Sequence, residues 1–209
     1  MTQAETGGTQ TNQGRSFEDV GYLPRDELQA LLDAPDASTV SGIRDRAMLH
    51  LAFAAGMRVS ELVGLRLDQI DRQTMSSVHI MGKGRRERVL PRWKQTAAAV
   101  KAWLKVRPVT DAPELFLNAR AQAMTRSGFE YILTKHAAVA TRKAQSIAGK
   151  GVSPHVLRHT CAMHTLQATR DVRKVSLWPG HASLQSRRST FAPIRQRSSK
   201  RSPPCRRRC

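Results

Sequence analysis

Three short stretches hold residue types that can handle a phosphate: "GMRVSEL" around Arg58, "GKGRRERVLP" around Lys83, and "HVLRH" with His155 and Arg158. His155 and Arg158 lie three positions apart at an expected helix start, so both point from one face. An arginine and a histidine placed there, beside helix N-terminal amides, suit a bound phosphate. Singly, each has an ordinary explanation. An H-x-x-R occurs by chance in many helices, Arg58 alone says less, and Lys83 fits an ordinary turn. Only in this order do they form a set.

The elements that must position them follow from periodicity. "YLPRDELQALLDAP" starts a helix with Pro24 in its first turn and Leu28, Leu31 and Leu32 on one face. "SGIRDRAMLHLAFAAG" reads as a second, largely apolar and therefore buried helix ended by Gly56. "VSELVGLRLDQI" gives a third, with Leu62, Leu65 and Ile70 inward. The period then changes to two. In "SSVHIMGKGRRERVLP", Val78 and Ile80 alternate, a Gly-Lys-Gly turn follows, and Val89 closes a second strand: a β-hairpin with Lys83 at its tip. "WKQTAAAVKAWLKVR" returns to helix, "ELFLN" is a short strand, and "TRSGFEYILTKHAAVATRKAQ" is a long helix. "SPHVLRHTCAMHTLQAT" is a helix capped by Ser153 with Pro154 at its first position. "RDVRKVSLW" makes a short final helix before "PGHAS". The fold class expected is α+β, mainly α-helical with a small antiparallel sheet.

Composition bounds the function. The 209 residues suffice for one good-sized domain with tails, and residues 1–20 are Gly/Thr/Gln-rich and expected to be disordered. No run is long and apolar enough for a membrane span, and the polar N-terminus has no secretory h-region. Cys161, Cys205 and Cys209 fit neither a disulfide framework nor a zinc site, which favours a reducing cytoplasm. The net charge is +19, of which the nine Lys/Arg and no Asp/Glu of residues 187–209 supply +9, leaving +10 on the body. A body that basic favours a polyanion such as nucleic acid.

The set of motifs resembles the catalytic domain of the tyrosine recombinases, the phage integrase family. The resemblance covers residues 21–186 and rests on "RDRAMLHLAFAAGMRVSELVGLRLDQID", "HIMGKGRRERVLP", "SPHVLRHT" and "GHAS". It implies the fold of DNA breaking–rejoining enzymes and a reaction in which a tyrosine hydroxyl attacks a DNA phosphodiester. The products are a 3′-phosphotyrosyl link and a free 5′-hydroxyl, and no cofactor or metal is needed. Arg58 and Arg158 would then hold the non-bridging oxygens with permanently charged, bidentate donors. Lys83 would protonate the leaving 5′-oxygen. The resemblance also implies that His155 assists proton transfer at the nucleophile, that His181 donates to the scissile phosphate, and that Glu61 orients the site, although a plain surface glutamate fits Glu61 as well. Arg85, Arg86 and Arg88 on the hairpin are expected to touch the DNA backbone. All five catalytic candidates should converge on one cleft. The partner implied is double-stranded DNA, with self-association on DNA in intact relatives and a mobile element as the setting. The blander reading fits Cys161, Met163 and Leu166 as helix core, His159 and His164 as helix-face residues, and Trp93 and Trp103 as packing residues. An N-terminal helical DNA clamp is usual in the family, and only some 20 polar residues stand before this part.

One part of the pattern is missing. The family places its tyrosine about nine residues after the histidine of "GH", and counting from His181 reaches Thr190. The two tyrosines are Tyr22 and Tyr131, both before His155. Thr190 is a poor substitute, because an aliphatic hydroxyl is far less acidic than a phenol of pKa ~10. Phe191 has a ring without an oxygen. The arginine-rich tail offers a cause. Back-translated with ordinary GC-rich codons and read with one extra base in front, "RRSTFAPIRQRSSKRSPP" becomes "TEIYLRADPTEKLEALAA", which puts a tyrosine at position 190. Residues 187–209 thus read as a basic, out-of-frame tail. Pro179 is a second departure, because the family has an aliphatic residue between its short helix and "GH".

The first expectation is therefore a site-specific recombinase catalytic domain that is inactive as written. The alternative is a non-catalytic DNA-binding remnant that interferes with intact relatives. A generic RNA-binding protein is a third reading. The ordered motif set and the lack of aromatic stacking platforms argue against it.

Overall fold

The computed structural model describes residues 21–70 and 94–170. Its centre is α2 (Val40–Ala55), which begins at Thr39, whose hydroxyl accepts from the Gly42 N–H at 3.0 Å. Every residue from Ala47 to Ala55 is buried. A helix apolar on all sides must be surrounded by other elements. Here α4 (Lys94–Val106) and α6 (Pro154–Thr169) pack along α2, with α1 (Arg25–Leu32) and α3 (Val59–Val63) against it as well. The remaining helix, α5 (Arg126–Ala140), packs on α1 and α3.

α1 turns inward the face expected from its spacing, and α4 and α5 each bury one stripe. Leu28, Leu31 and Leu32 of α1 are buried, and the Pro24 carbonyl accepts from the Leu28 N–H at 2.9 Å. From α4, Thr96, Ala99, Val100 and Trp103 face inward. Trp103 packs, as expected, with its indole N–H donating to the Leu115 carbonyl at 2.9 Å. In α5, Phe129, Ile132, Leu133 and His136 form the buried stripe. His136 Nε2 lies 2.9 Å from Asp45 of α2, whose carboxylate also takes Arg44 at 2.7 Å.

Three boundaries depart from the pattern. The stretch expected as one helix over residues 59–70 is a helix only to Val63. Gly64 ends it, and a single 3-10 turn follows at Leu67–Gln69. Leu62, Leu65 and Ile70 are nevertheless all buried, so the inward positions hold while the backbone bends. α5 stops at Ala140, where bonds from Arg142 and Lys143 to the carbonyls three residues back tighten its end. "ELFLN" forms two isolated antiparallel bridges, Arg66 with Glu114 and Leu117 with Ala123. Among the described residues there is no longer strand, so the expected small sheet is reduced there to these bridges. The hairpin of residues 76–91 and the helix expected at "RDVRKVSLW" lie outside the described residues, as do residues 1–20 and the tail.

Candidate functional site

The geometry begins where α2 stops. Gly56 adopts a left-handed conformation (φ 54°, ψ 41°), its N–H bonds to the Phe53 carbonyl at 3.0 Å, and the Met57 N–H bonds to Ala52 at 3.1 Å. These two bonds close the helix as a Schellman motif and reverse the chain. Two residues later Arg58 is the N-cap of α3. Glu61, one turn on, accepts the Arg58 backbone N–H and its guanidinium Nη1, both at 2.9 Å. The Arg58 head is half-exposed and the Glu61 carboxylate mostly covered. Glu61 is therefore more than a surface glutamate, because it holds Arg58 at two atoms.

Arg158 arrives from the other end of the chain. α6 starts as the sequence requires: Ser153 caps it by accepting the Val156 N–H at 3.3 Å, and Pro154 occupies the first position. His155 in that first turn is exposed, whereas Arg158 is 92% covered. The Arg158 Nη1 donates to the Gly56 carbonyl. The buried guanidinium thus sits on the residue that reverses the chain towards Arg58, so the Arg158 head reaches the backbone two residues before an arginine 100 positions away. Cys161, one turn further, faces the same glycine: a Cβ on Gly56 would stand 3.3 Å from its Sγ.

Two further contacts fix α6. The Thr160 hydroxyl accepts the Leu23 N–H at 3.1 Å, and His164 Nε2, 2.9 Å from the Leu23 carbonyl, must be the donor there. His164 also stands edge-on to Phe53 and Tyr22, with ring centroids 5.8 and 6.5 Å away. It is a helix-face packing residue, as expected. Burial, and secondarily the charge of His155, holds the His159 imidazole below its ordinary pKa. Burial pushes the Cys161 thiol up to about 11, against the smaller opposing pulls of Thr165 and Arg158. A thiol protonated to that extent is no nucleophile. Cys161 is core. Met163 and Leu166, expected beside it, are half-buried.

Chemically, the junction offers two fixed guanidinia and an exposed imidazole. A carboxylate and a carbonyl orient the guanidinia in advance, which favours an oxyanion because no reorganisation is then required. Among the described residues no group of His, Cys, Asp and Glu could hold a metal, and no helix is long and apolar enough to cross a membrane. Lys83, Arg85, Arg86, Arg88, His181 and Thr190 lie outside the described residues. Sequence reasoning missed the Gly56 carbonyl as the seat of Arg158. A glycine after an apolar run signals a helix end, but nothing local shows which side chain will find its carbonyl.

Residues 21–192 match the model of the Phage integrase family. The protein y4rC of Sinorhizobium fredii, named as an integrase/recombinase, is 42% identical over 167 residues, 80% of this chain and 50% of its own length. Tyrosine recombinase XerD of Listeria innocua is 36% identical over 192 residues, 89% of this chain and 60% of that protein. Among solved structures, the XerA recombinase superposes with a TM-score of 0.67 at 29% identity, covering 79% of this chain and 57% of that one. The XerH site-specific recombinase, bound to its difH substrate before cleavage, gives 0.66 at 25% identity, covering 84% and 52%. The chain thus spans 50–60% of the length of these relatives. With the arginine junction in place and the family model matching most of its length, the chain belongs to the phage integrase family of tyrosine recombinases.

Proposed function

We propose that the chain is the catalytic-domain portion of a site-specific DNA recombinase, residues 21–186, that grips a DNA phosphate but does not cleave beside it. The observation that carries this reading is the Arg158 guanidinium seated on the Gly56 carbonyl, two residues from the carboxylate-held Arg58. In the full reaction, a nucleophile oxygen attacks phosphorus and the 5′-oxygen leaves, taking a proton. Arg58 and Arg158 stabilise the added charge on the non-bridging oxygens. Lys83 supplies the proton to the leaving group, His155 takes one from the nucleophile, and His181 donates to the phosphate. Arg85, Arg86 and Arg88 bind backbone phosphates. Duplex DNA is the partner, on which copies of intact relatives assemble in the cytoplasm; support for the DNA partner is that the XerH relative is bound to its difH substrate. Here the attack fails because Thr190 provides an alkanol in place of a phenol. Residues 187–209 are the product of a one-base loss near codon 187.

A denaturing gel with end-labelled, nicked duplex DNA of randomised sequence tests this. The present chain should retain DNA in a native gel, with affinity falling linearly on a log–log salt scale, yet leave no covalent band after denaturation. The chain that reads "TEIY" from position 187 should give a band, and R158A in that background should abolish it. A covalent band from the present chain would refute the loss of cleavage. No band from the restored chain would place the loss of cleavage at Pro179, the second departure from the family pattern, as well as at Thr190.

A further inference from the structure

We propose that Glu27 is a positioning residue for the first turn of α6, holding His155 and Arg158 in the place where a phosphate is gripped. The role rests on the recombinase reading above.

Glu27 is in the first turn of α1, far from the arginine junction in sequence, and it is buried, which is uncommon for a glutamate. Both its oxygens are engaged. Ser146 Oγ donates to Oε1 at 2.6 Å, and Lys150 Nζ reaches Oε1 at 2.8 Å and Oε2 at 2.7 Å. Ser146 belongs to the 3-10 turn Gln145–Ile147, and Lys150 stands three residues before the cap Ser153. The pair therefore ties α1 to the loop that feeds α6.

The rest of that loop is held by apolar packing at Ala144, Ile147 and Val152, with no other side-chain ion pair along it among the described residues. Ala148, Gly149 and Gly151 are exposed, and a Cβ on either glycine would meet nothing within 4 Å. Ile147 is buried and Lys150 reaches Glu27. Between Lys150 and Ser153 the chain spans at most about 10 Å, and bonds from Lys150 N–H to Ile147 (2.9 Å) and from Val152 N–H to Lys150 (2.8 Å) stiffen it. A shift of the Lys150 head therefore passes to the cap, and through the cap to His155. Further along α6 the Leu23 clamp at Thr160 and His164 fixes the helix body. Glu27 fixes the other end, where the phosphate-facing residues sit.

Were the pair to serve stability alone, its loss would lower the global unfolding free energy without singling out α6. Amide hydrogen exchange on the full chain separates the two roles. In E27Q, which keeps the shape and the Ser146 contact, exchange at residues 156–158 should rise on the order of tenfold while the α2 amides of Met48–Phe53 stay protected. K150M should do the same, and it decides the matter if E27Q does not fold, because the Lys150 side chain is partly exposed. Retention of nicked duplex DNA should weaken several-fold in both variants, and the charge swap E27K/K150E should restore protection and retention together. Equal loss of protection in α2 and α6, or none in either, overturns the proposal. Local loss at α6 in a chain whose parent retains no DNA would leave the positioning role standing and sink the recombinase reading.

Discussion

Gly56→Ala isolates the demand that the fold places on the arginine junction. Gly56 lies at φ 54°, where a residue with a Cβ is disfavoured by roughly 1–2 kcal/mol. The new methyl would also sit 3.3 Å from Cys161 Sγ, inside ordinary contact distance. Cys161 is buried and cannot swing into solvent, so part of an overpacking cost of about 1 kcal/mol is added. Alanine returns roughly 0.4–1 kcal/mol by restricting the unfolded chain. The net loss is about 2 kcal/mol, and for a chain of this size each 1 kcal/mol lowers Tm by about 2–4 °C. A Tm decrease of about 4–8 °C is therefore expected by thermal unfolding followed by circular dichroism. The double mutant G56A/C161A should recover the contact part but not the dihedral part, with a coupling energy of about 0.5–1 kcal/mol in the cycle. A fall below about 1 °C for G56A would show that the chain can leave the left-handed region without disturbing α6, and that would refute the junction as described.

Other substitutions probe the remaining buried groups. Burial works to raise the Asp45 pKa, but bonds from His136 and Arg44 outweigh it and leave the pKa lowered. Its contribution is thus complete above the unfolded value of ~3.9 and lost as pH falls through the lower folded one. D45N should cost about 3 kcal/mol at neutral pH and flatten the acid limb of a urea-denaturation series, and an unchanged limb would refute the assignment. His50 is held down to about 4, mainly by burial and secondarily by Arg46, with Asp33 opposing. Because the unfolded chain takes up that proton first, stability should fall by about 3 kcal/mol as pH drops from ~6.5 to about 4. H50L should remove that slope, and a slope that survives would place it elsewhere. E61Q should change stability by only about 1 kcal/mol or less, because the glutamine oxygen can still accept from Arg58 and the arginine partner is half-exposed, yet alter the salt dependence of DNA retention through Arg58. An unchanged salt slope would count against a role for Arg58 in binding.

What could be read from the sequence was what is encoded locally. The Ser153–Pro154 start of α6, the buried run of α2 and its glycine stop, and the inward leucines of α1 depend on residues within a turn of one another, and all appear as expected. The helix expected over residues 59–70 failed at Gly64, because the apolar spacing continued across a backbone that had turned. "ELFLN" had the apolar content of a strand, and Leu115, Phe116 and Leu117 are fully buried, but the described backbone meets partners only at single bridges. Arg58, His155 and Arg158 were identifiable as an ordered set. Their supports were not. Arg158 finds a carbonyl 102 residues away, Glu27 finds Lys150 at 123, and Asp45 finds His136 at 91. Such pairings follow from how helices pack, and no spacing rule within a helix predicts them.

The two arginines are held by different kinds of group, and that difference bears on how each can meet a phosphate. Glu61 fixes Arg58 with a carboxylate, so an incoming phosphate must share that guanidinium with an existing negative charge. Gly56 fixes Arg158 with a carbonyl, which orients the head without bringing a formal charge. Burial strengthens the attraction of that cation for an anion that reaches it. Both anchors, the cap of α6 and the Leu23 clamp lie within residues 21–170. None of them draws on position 190. The device that would stabilise charge on phosphorus therefore folds from one part of the chain, and the oxygen that would create that charge must come from another. On the function proposed above, an alkanol in place of a phenol would remove the accessible nucleophile while leaving the Glu61 and Gly56 contacts to the two arginines as they are.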